Sequence, residues 1–414
     1  MLKFAVLFIS LHFISHAFGQ NRIRKFVKQT AVSISTLEPD STNFSDLEVI
    51  GNSIGDARIV MLGEQDHGDA PTFLAKTRII KYLHEKKGFN VIAFESDFFG
   101  LNYGWDNVKK EKSLINSFIE KNIFPIWTSC NTCHYLFYEY IPDTHNTDSP
   151  IAITGFDTQM ILQYSSKNMI SKLDSVLRSL DLDIVKDDDY IPKILPTIDS
   201  LKYYYSDTPK NPNFYSTCYN YLKEIKRQAS KILDEDNFWV MTIDNLIHEN
   251  IEFSSNDYSQ KTNVRDSLMA QNLKWLIRVK YPNEKIIVWA ANGHVAKYSD
   301  ISKNYPYKER VAMGKYLTKD SSFLRQSYII GFTSYAGVAG RIGWENYSIS
   351  KPKPDGFENW IDRSFDYAFV NFKSFKEKSK PFHLKGMSHS SAFKDWTNIF
   401  DGIFFIKEMY PCQK

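Results

Sequence analysis

The sequence predicts an α/β fold: a mostly parallel central sheet with helices on both faces and a helical insertion. Three observations carry that expectation. Seven short apolar runs recur along the chain, β-branched, aromatic and nearly continuous, which is how strands read when both faces are covered. A helical stretch separates the first two runs, the spacing of a strand–helix–strand unit with parallel strands. Residues from about 160 to 255 show helical patterning with no strand run between.

In chain order, the first strand is expected at Ala57–Leu62 (ARIVML). Phe73, Lys76, Ile79, Ile80 and Leu83 then share one face of a helix over Thr72–Lys86, and Pro71 suits its first turn, where a missing N–H costs nothing. Strands follow at Asn90–Phe94 and Ile151–Thr154. The insertion predicts helices at Met169–Leu180, Phe214–Asp234 and Phe238–Phe253, with Pro192, Pro196, Pro209 and Pro212 as punctuation. The remaining strands fall at Lys285–Ala290, Ser327–Phe332, Asp366–Val370 and Gly402–Ile406. The charge run Lys373–Lys380 reads as a solvated loop.

Composition narrows the function. The chain has 414 residues, and 51 Lys+Arg against 48 Asp+Glu give a net charge of +3. Nucleic-acid binding would call for a clustered basic excess, so no nucleic-acid partner is expected. Aromatic residues make up 15%, which excludes disorder as the main state.

Residues 1–19 read as a secretory signal peptide: Lys3, an apolar run from Phe4 to Phe18, and a small-x-small site at Ala17-Phe18-Gly19. The run is too short to span a bilayer. Cleavage leaves Gln20 first, a secreted or periplasmic protein with no membrane anchor, and one α/β domain over residues 20–414. An exported chain is free to form disulfides. Cys130, Cys133, Cys218 and Cys412 allow three pairings, and sequence does not choose among them.

Polar groups gather where the strands end. Gly63-Glu64-Gln65-Asp66-His67-Gly68 follows the first strand, Glu95 the second, Gly155-Phe156-Asp157 the third and Asn292-Gly293-His294 the fourth. In a parallel sheet these share the carboxyl edge, where open α/β sheets bind ligands. Asp157 is expected to cap the helix after it, and Asn292 to make a turn.

With this pattern on the page, the chain resembles the erythromycin esterase family. The resemblance rests on Gly63-Glu64-x-x-His67-Gly68, Lys76 and Arg78 on the next helix, and Phe94-Glu95, with 95 − 67 = 28 residues from His67 to Glu95. It continues through Gly155-Phe156-Asp157, Arg265-Asp266-x-x-Met269-Ala270-x-Asn272, Asn292-Gly293-His294 and Met313-Gly314-x-x-Leu317, spanning about Ile50 to Ile406.

The resemblance implies a metal-independent, cofactor-free hydrolase that opens an ester, a macrolactone among the options, by water attack, with His67 as general base. Histidine ordinarily titrates near neutrality, which suits proton transfer from water. Glu64 and Glu95 would orient the imidazole as a triad carboxylate does. Arg265 and His294 would face the oxyanion, and Lys76 or Arg78 would do the same or hold a carboxylate. Many family members carry a second histidine where Ala291 stands, and Gln65-Asp66 replaces the usual small residue and Thr. These departures weigh against a macrolide more than against hydrolysis, and place an envelope polysaccharide or lipid ester beside it.

Competing motifs are weaker. Glu64, Asp66, His67, Glu95 and His294 are all competent ligands for a divalent ion, so a metallohydrolase or a metal-binding envelope protein is the alternative. Cys130-Asn131-Thr132-Cys133-His134 matches the c-type haem pattern, with a disulfide as the plainer reading. Gly51-Asn52-Ser53-Ile54-Gly55 matches a nucleophile elbow but precedes a strand instead of following one, which rejects Ser53 as a nucleophile. Trp105, Trp127, Trp275, Trp289, Trp344, Trp360 and Tyr203–Tyr205 are candidates to line a cleft, with Trp289 more at home in the core.

Overall fold

The computed structural model describes residues 21–204, 211–300 and 310–414. The predicted signal peptide and Tyr205 lie outside them.

The chain builds one large sheet from β1 (Val32–Ile34), β2 (Ile59–Leu62), β3 (Phe89–Asp97), β4 (Ala152–Asp157), β5 (Lys285–Trp289), β6 (Ser327–Ala339), β7 (Tyr367–Asn371) and β8 (Gly402–Met409). Their order is β1-β7-β8-β6-β2-β5-β3-β4, and a short strand, Tyr347–Ser348, pairs with the end of β6. Every pairing from β8 through β4 is parallel. The β1–β7 and β7–β8 pairings are antiparallel. Each of the seven expected strands is present; β1 and Tyr347–Ser348 are additions to this sheet, too short to show as apolar runs.

Alternation along the central strands divides the core. Val60, Leu62, Ile92, Phe94, Ile287 and Trp289 face one side. There they meet Phe73, Ile79, Ile80 and Leu83 of α1 (Ala70–Lys87). Ile59, Met61, Val91, Ala93, Ile286 and Val288 face the other side, against Met269 and Leu273 of α2 (Tyr258–Trp275) and Leu317. Near-total burial on both faces is why these strands read as unbroken apolar runs. Helix α1 opens with Pro71 in its first turn and stops at Gly88, whose φ of 71° a side chain would resist.

Between β4 and β5 the chain is helical, as expected. Gln163–Ser179, Pro212–Ala229 and Phe238–Ser254 enclose a third core of Met169, Leu173, Leu222, Ile225, Ile243 and Leu246. Cys130 is bonded to Cys412, 282 residues away, while Cys133 and Cys218 are free and buried. The cysteine that opens the C-x-x-C-H run is therefore used to tie down the C-terminal segment. Ser53 lies in the helix Glu48–Ile54, its hydroxyl donating to Val49 O at 2.7 Å, which agrees with its rejection as a nucleophile.

Candidate active site

The polar strand ends converge at the carboxyl edge of β2, β5, β3 and β4. Close packing there fixes the glycines: a Cβ on Gly63 would lie 1.9 Å from Asn292 Oδ1. Asn292 in turn donates to Phe332 O at 2.7 Å and accepts from Phe332 N at 3.1 Å, so it locks the loop after β5 to β6 as well as making the turn.

The site has two arms, each built on a histidine. In the first, Glu64 is fully buried just beyond β2. It accepts from His67 Nδ1 at 2.7 Å, Trp127 Nε1 at 3.1 Å and Lys76 Nζ at 2.5 Å. A carboxylate only accepts, so Nδ1 carries the proton and a neutral ring presents a lone pair at Nε2. The His67 side chain keeps 16% of its surface exposed. The Trp127 ring meets it edge-on, 5.5 Å between centroids. Lys76 is wholly buried, 4.3 Å above the Trp289 ring. Burial lowers its pKa and the charge of Glu64 works the other way.

In the second arm, His294 stands in the short helix Asn292–Val295. Its Nδ1 lies 2.6 Å from Asp266 Oδ1 and its Nε2 3.3 Å from Glu95 Oε1. Both ring nitrogens face carboxylates, which favours the imidazolium, while Arg265 Nη1 also lies 3.5 Å from Nε2. Burial opposes that charge, but Asp266 and Glu95 prevail and the pKa is raised. Arg265 donates to Asp157 Oδ1 and Oδ2 at 2.9 and 2.7 Å and to Glu95 Oε1 at 3.0 Å. Burial alone would raise the Glu95 pKa; His294, Arg265 and His67 outweigh it and hold it at about 2. The backbone N–H of Ala291 adds a hydrogen bond to Glu95 at 3.0 Å.

The structure thus brings Glu64, His67, Lys76, Glu95, Arg265 and His294 to one edge. Glu95 binds His294 and Arg265, and among the described residues Glu64 alone bonds the His67 ring. Several expectations need correction or narrowing. Arg78, expected to face substrate, is turned away: it pairs with Asp46 at 2.7 Å and donates to Thr36 O and Asn43 O. Two helix positions past Lys76 is about 200° of turn, which puts the two side chains on opposite faces. Lys76, expected at the oxyanion or on a carboxylate, takes the second place: it lies behind Glu64 as its counter-ion. Asp157 does not cap a helix either; it holds Arg265, and the helix after it starts only at Gln163.

Four residues have partners that the sequence did not show. Asp266 stood inside the quoted motif as an unassigned neighbour of Arg265. Gln65 donates to Lys385 O and Ser388 O at 2.7 and 3.0 Å, and Asp66 binds Arg341 and Tyr347, so the unusual Gln65-Asp66 pair fastens C-terminal loops. Glu252, half-buried beside Thr158 and Gln159 at 3.4 Å each, has its pKa raised to about 7, chiefly by burial. Of the cleft candidates, Trp289 and Trp360 are buried and Trp344 is 73% exposed.

Such an edge, with one histidine open and a second held as a cation, belongs to a class of α/β hydrolases, and comparison with known proteins gives the class its family. The erythromycin esterase family pattern matches residues 84–408, most of the chain although starting beyond His67. The chain belongs to that family of hydrolases. It is 25% identical over 374 residues to the protein named "Putative hydrolase YbfO" of Bacillus subtilis (strain 168), covering 83% of this chain and 80% of the relative. Identity to the erythromycin esterase type II of Escherichia coli is 21% over 431 residues, covering 94% and 98%. The fold matches that of a mutant of the erythromycin esterase EreC in its open conformation, with a TM-score of 0.69 at 18% identity, covering 93% and 99%.

Proposed function

We propose that this chain hydrolyses a carboxylic ester by attack of a water molecule that His67 deprotonates, without a metal ion. The observation that carries the reading is the state of His67. Its Nδ1 is fixed on Glu64, its Nε2 has no hydrogen-bond partner among the described residues, and its ring is part-exposed. Water gives its proton to Nε2 as its oxygen bonds the ester carbonyl. The oxyanion that forms is stabilised by Arg265 and the His294 imidazolium, cations fixed in place before the reaction. Collapse breaks the bond to the alcohol, which leaves with the proton held on His67.

Metal independence is supported by the donor set. Among the described residues no three His, Cys, Asp or Glu side chains are disposed around one point to hold an ion. Glu64 already neutralises Lys76, and Glu95 serves Arg265 and His294. Export is supported by the pattern of residues 1–19 and by the Cys130–Cys412 bond, which suits an oxidising compartment.

The test is the protein of residues 20–414 beside His67→Ala, assayed on a panel of aryl and acyl esters and on erythromycin, with and without chelator. Chelator-resistant turnover with kcat lower by roughly 10²–10⁴-fold in the variant is expected. The melting temperature is expected to stay within a few degrees, because the ring is not core. Full activity in His67→Ala, or activity that returns only with added metal, would overturn the reading.

A further inference from the structure

A cavity of about 330 Å³ opens beside the His294 arm, lined in part by Gly293, Arg310, Met387, Ser388, Ser390 and Lys394. Its walls are joined to the site on two sides. Gly293 is the residue before His294. Ser388 O accepts from Gln65, two residues before His67. The loop carrying the serines is further pinned by His389, whose Nε2 lies 2.9 Å from Asp69 Oδ1 and whose Nδ1 lies 3.0 Å from Ser334 Oγ.

Arg310 is the unusual member. Three other cations at this edge have carboxylates: Lys76 has Glu64, Arg265 has Asp157, Arg341 has Asp66. Arg310 has none among the described residues, and its Nε is buried without a hydrogen-bond partner there. Its guanidinium lies over the backbone of Gly293: a Cβ on that glycine would come 3.1 Å from Nη2. A side chain there would press the fork back by a few tenths of an ångström from the residue that precedes His294. Burying a polar donor unpaired is costly, and a ligand acceptor removes that cost.

We infer that this cavity is an anion subsite, and that the ester carries a carboxylate, held by Arg310, a few bonds from the scissile carbonyl. Guanidinium is suited to that group because its planar fork matches the two carboxylate oxygens. The serines supply hydroxyl donors that discriminate little among anions, so the fork sets the preference. The short reach follows from adjacency, since neighbouring Cα atoms are about 3.8 Å apart. The kinetic consequence rests on the proposed hydrolase reading; the binding consequence does not.

The experiment compares 4-nitrophenyl hemisuccinate with the neutral 4-nitrophenyl butyrate in the wild type, Arg310→Ala and Arg310→Lys. The quantity read is the ratio of kcat/KM for the charged over the neutral ester. It should exceed one in the wild type and fall by about 10- to 100-fold in Arg310→Ala, through KM, as loss of a charge-assisted hydrogen bond implies. Arg310→Lys should restore part of it. A wild-type ratio near one, or a ratio unchanged in Arg310→Ala, would overturn the inference; so would a drop matched by an equal loss for both esters and a lower melting temperature, the mark of a structural arginine. Calorimetric titration with free succinate separates this inference from the hydrolase reading. If neither ester is turned over but succinate binds the wild type and not Arg310→Ala, the subsite stands and the hydrolase reading falls. Absence of succinate binding, or tighter binding of inorganic phosphate, would refute a carboxylate site.

Discussion

The two histidine arms use the same residue types and arrive at opposite states. At His67, one carboxylate is shared with a buried lysine: Glu64 takes Lys76 on one oxygen and the ring on the other. At His294, Asp266 and Glu95 occupy both ring nitrogens. The first ring keeps a nitrogen free to exchange a proton; the second has both nitrogens engaged and its pKa raised toward the charged form. What separates an acid–base group from an electrostatic one here is how many carboxylates reach the ring and whether another cation competes for them. The identity of the side chain does not decide it.

The sharpest way to break this contrast is to remove the competitor. Lys76→Met leaves Glu64 buried with only the His67 ring and the Trp127 indole beside it. Losing one partner of a buried pair costs about 3–5 kcal/mol, and urea denaturation of the variant should show a loss of that order. Unchanged stability would mean that Lys76 and Glu64 are not the charged pair that tunes this arm.

The strand ends were legible because parallel strands buried on both faces leave a strong apolar signal, and because chemistry after each strand falls on one edge. That logic found Glu64, His67, Glu95 and His294; Arg265 came only from the family resemblance. It could not tell Lys76 from Arg78. Both lie on α1, two residues apart; helical spacing puts them on opposite faces, and the packing of the segment around Asp46 shows which of the two turns away from the site. Asp157 sat where a helix cap would be expected, and its true partner is 108 residues further on in the sequence. Glu252 and Arg310 were invisible for the same reason: a glutamate in the last turn of a helix and an arginine in a basic stretch look solvated until tertiary burial isolates them.

The subtlest difference between the arms is their charge balance. Around His294, the carboxylates of Glu95, Asp157 and Asp266 face two cations, Arg265 and the imidazolium, so any further carboxyl nearby is a surplus. Glu252 is that surplus, and its pKa is raised from 4.5 to about 7, first by burial and then by Asp157, with Arg265 opposing. The folded chain therefore holds this proton to about pH 7, while the unfolded chain releases it near 4.5. Stability from this group is full below pH 4.5, falls as pH rises from 4.5 to 7, and is level above. Glu252→Gln keeps the size and the polar contacts but cannot ionise. Because the side chain is only half-buried, the expected gain over wild type is modest, about 1–2 kcal/mol at pH 8 and close to none at pH 4.5. Thermal melts of both proteins across that range check it. Parallel curves would mean that Glu252 titrates as an ordinary surface carboxyl. The His294 arm would then carry no surplus charge, and the contrast with His67 would rest on hydrogen bonding alone.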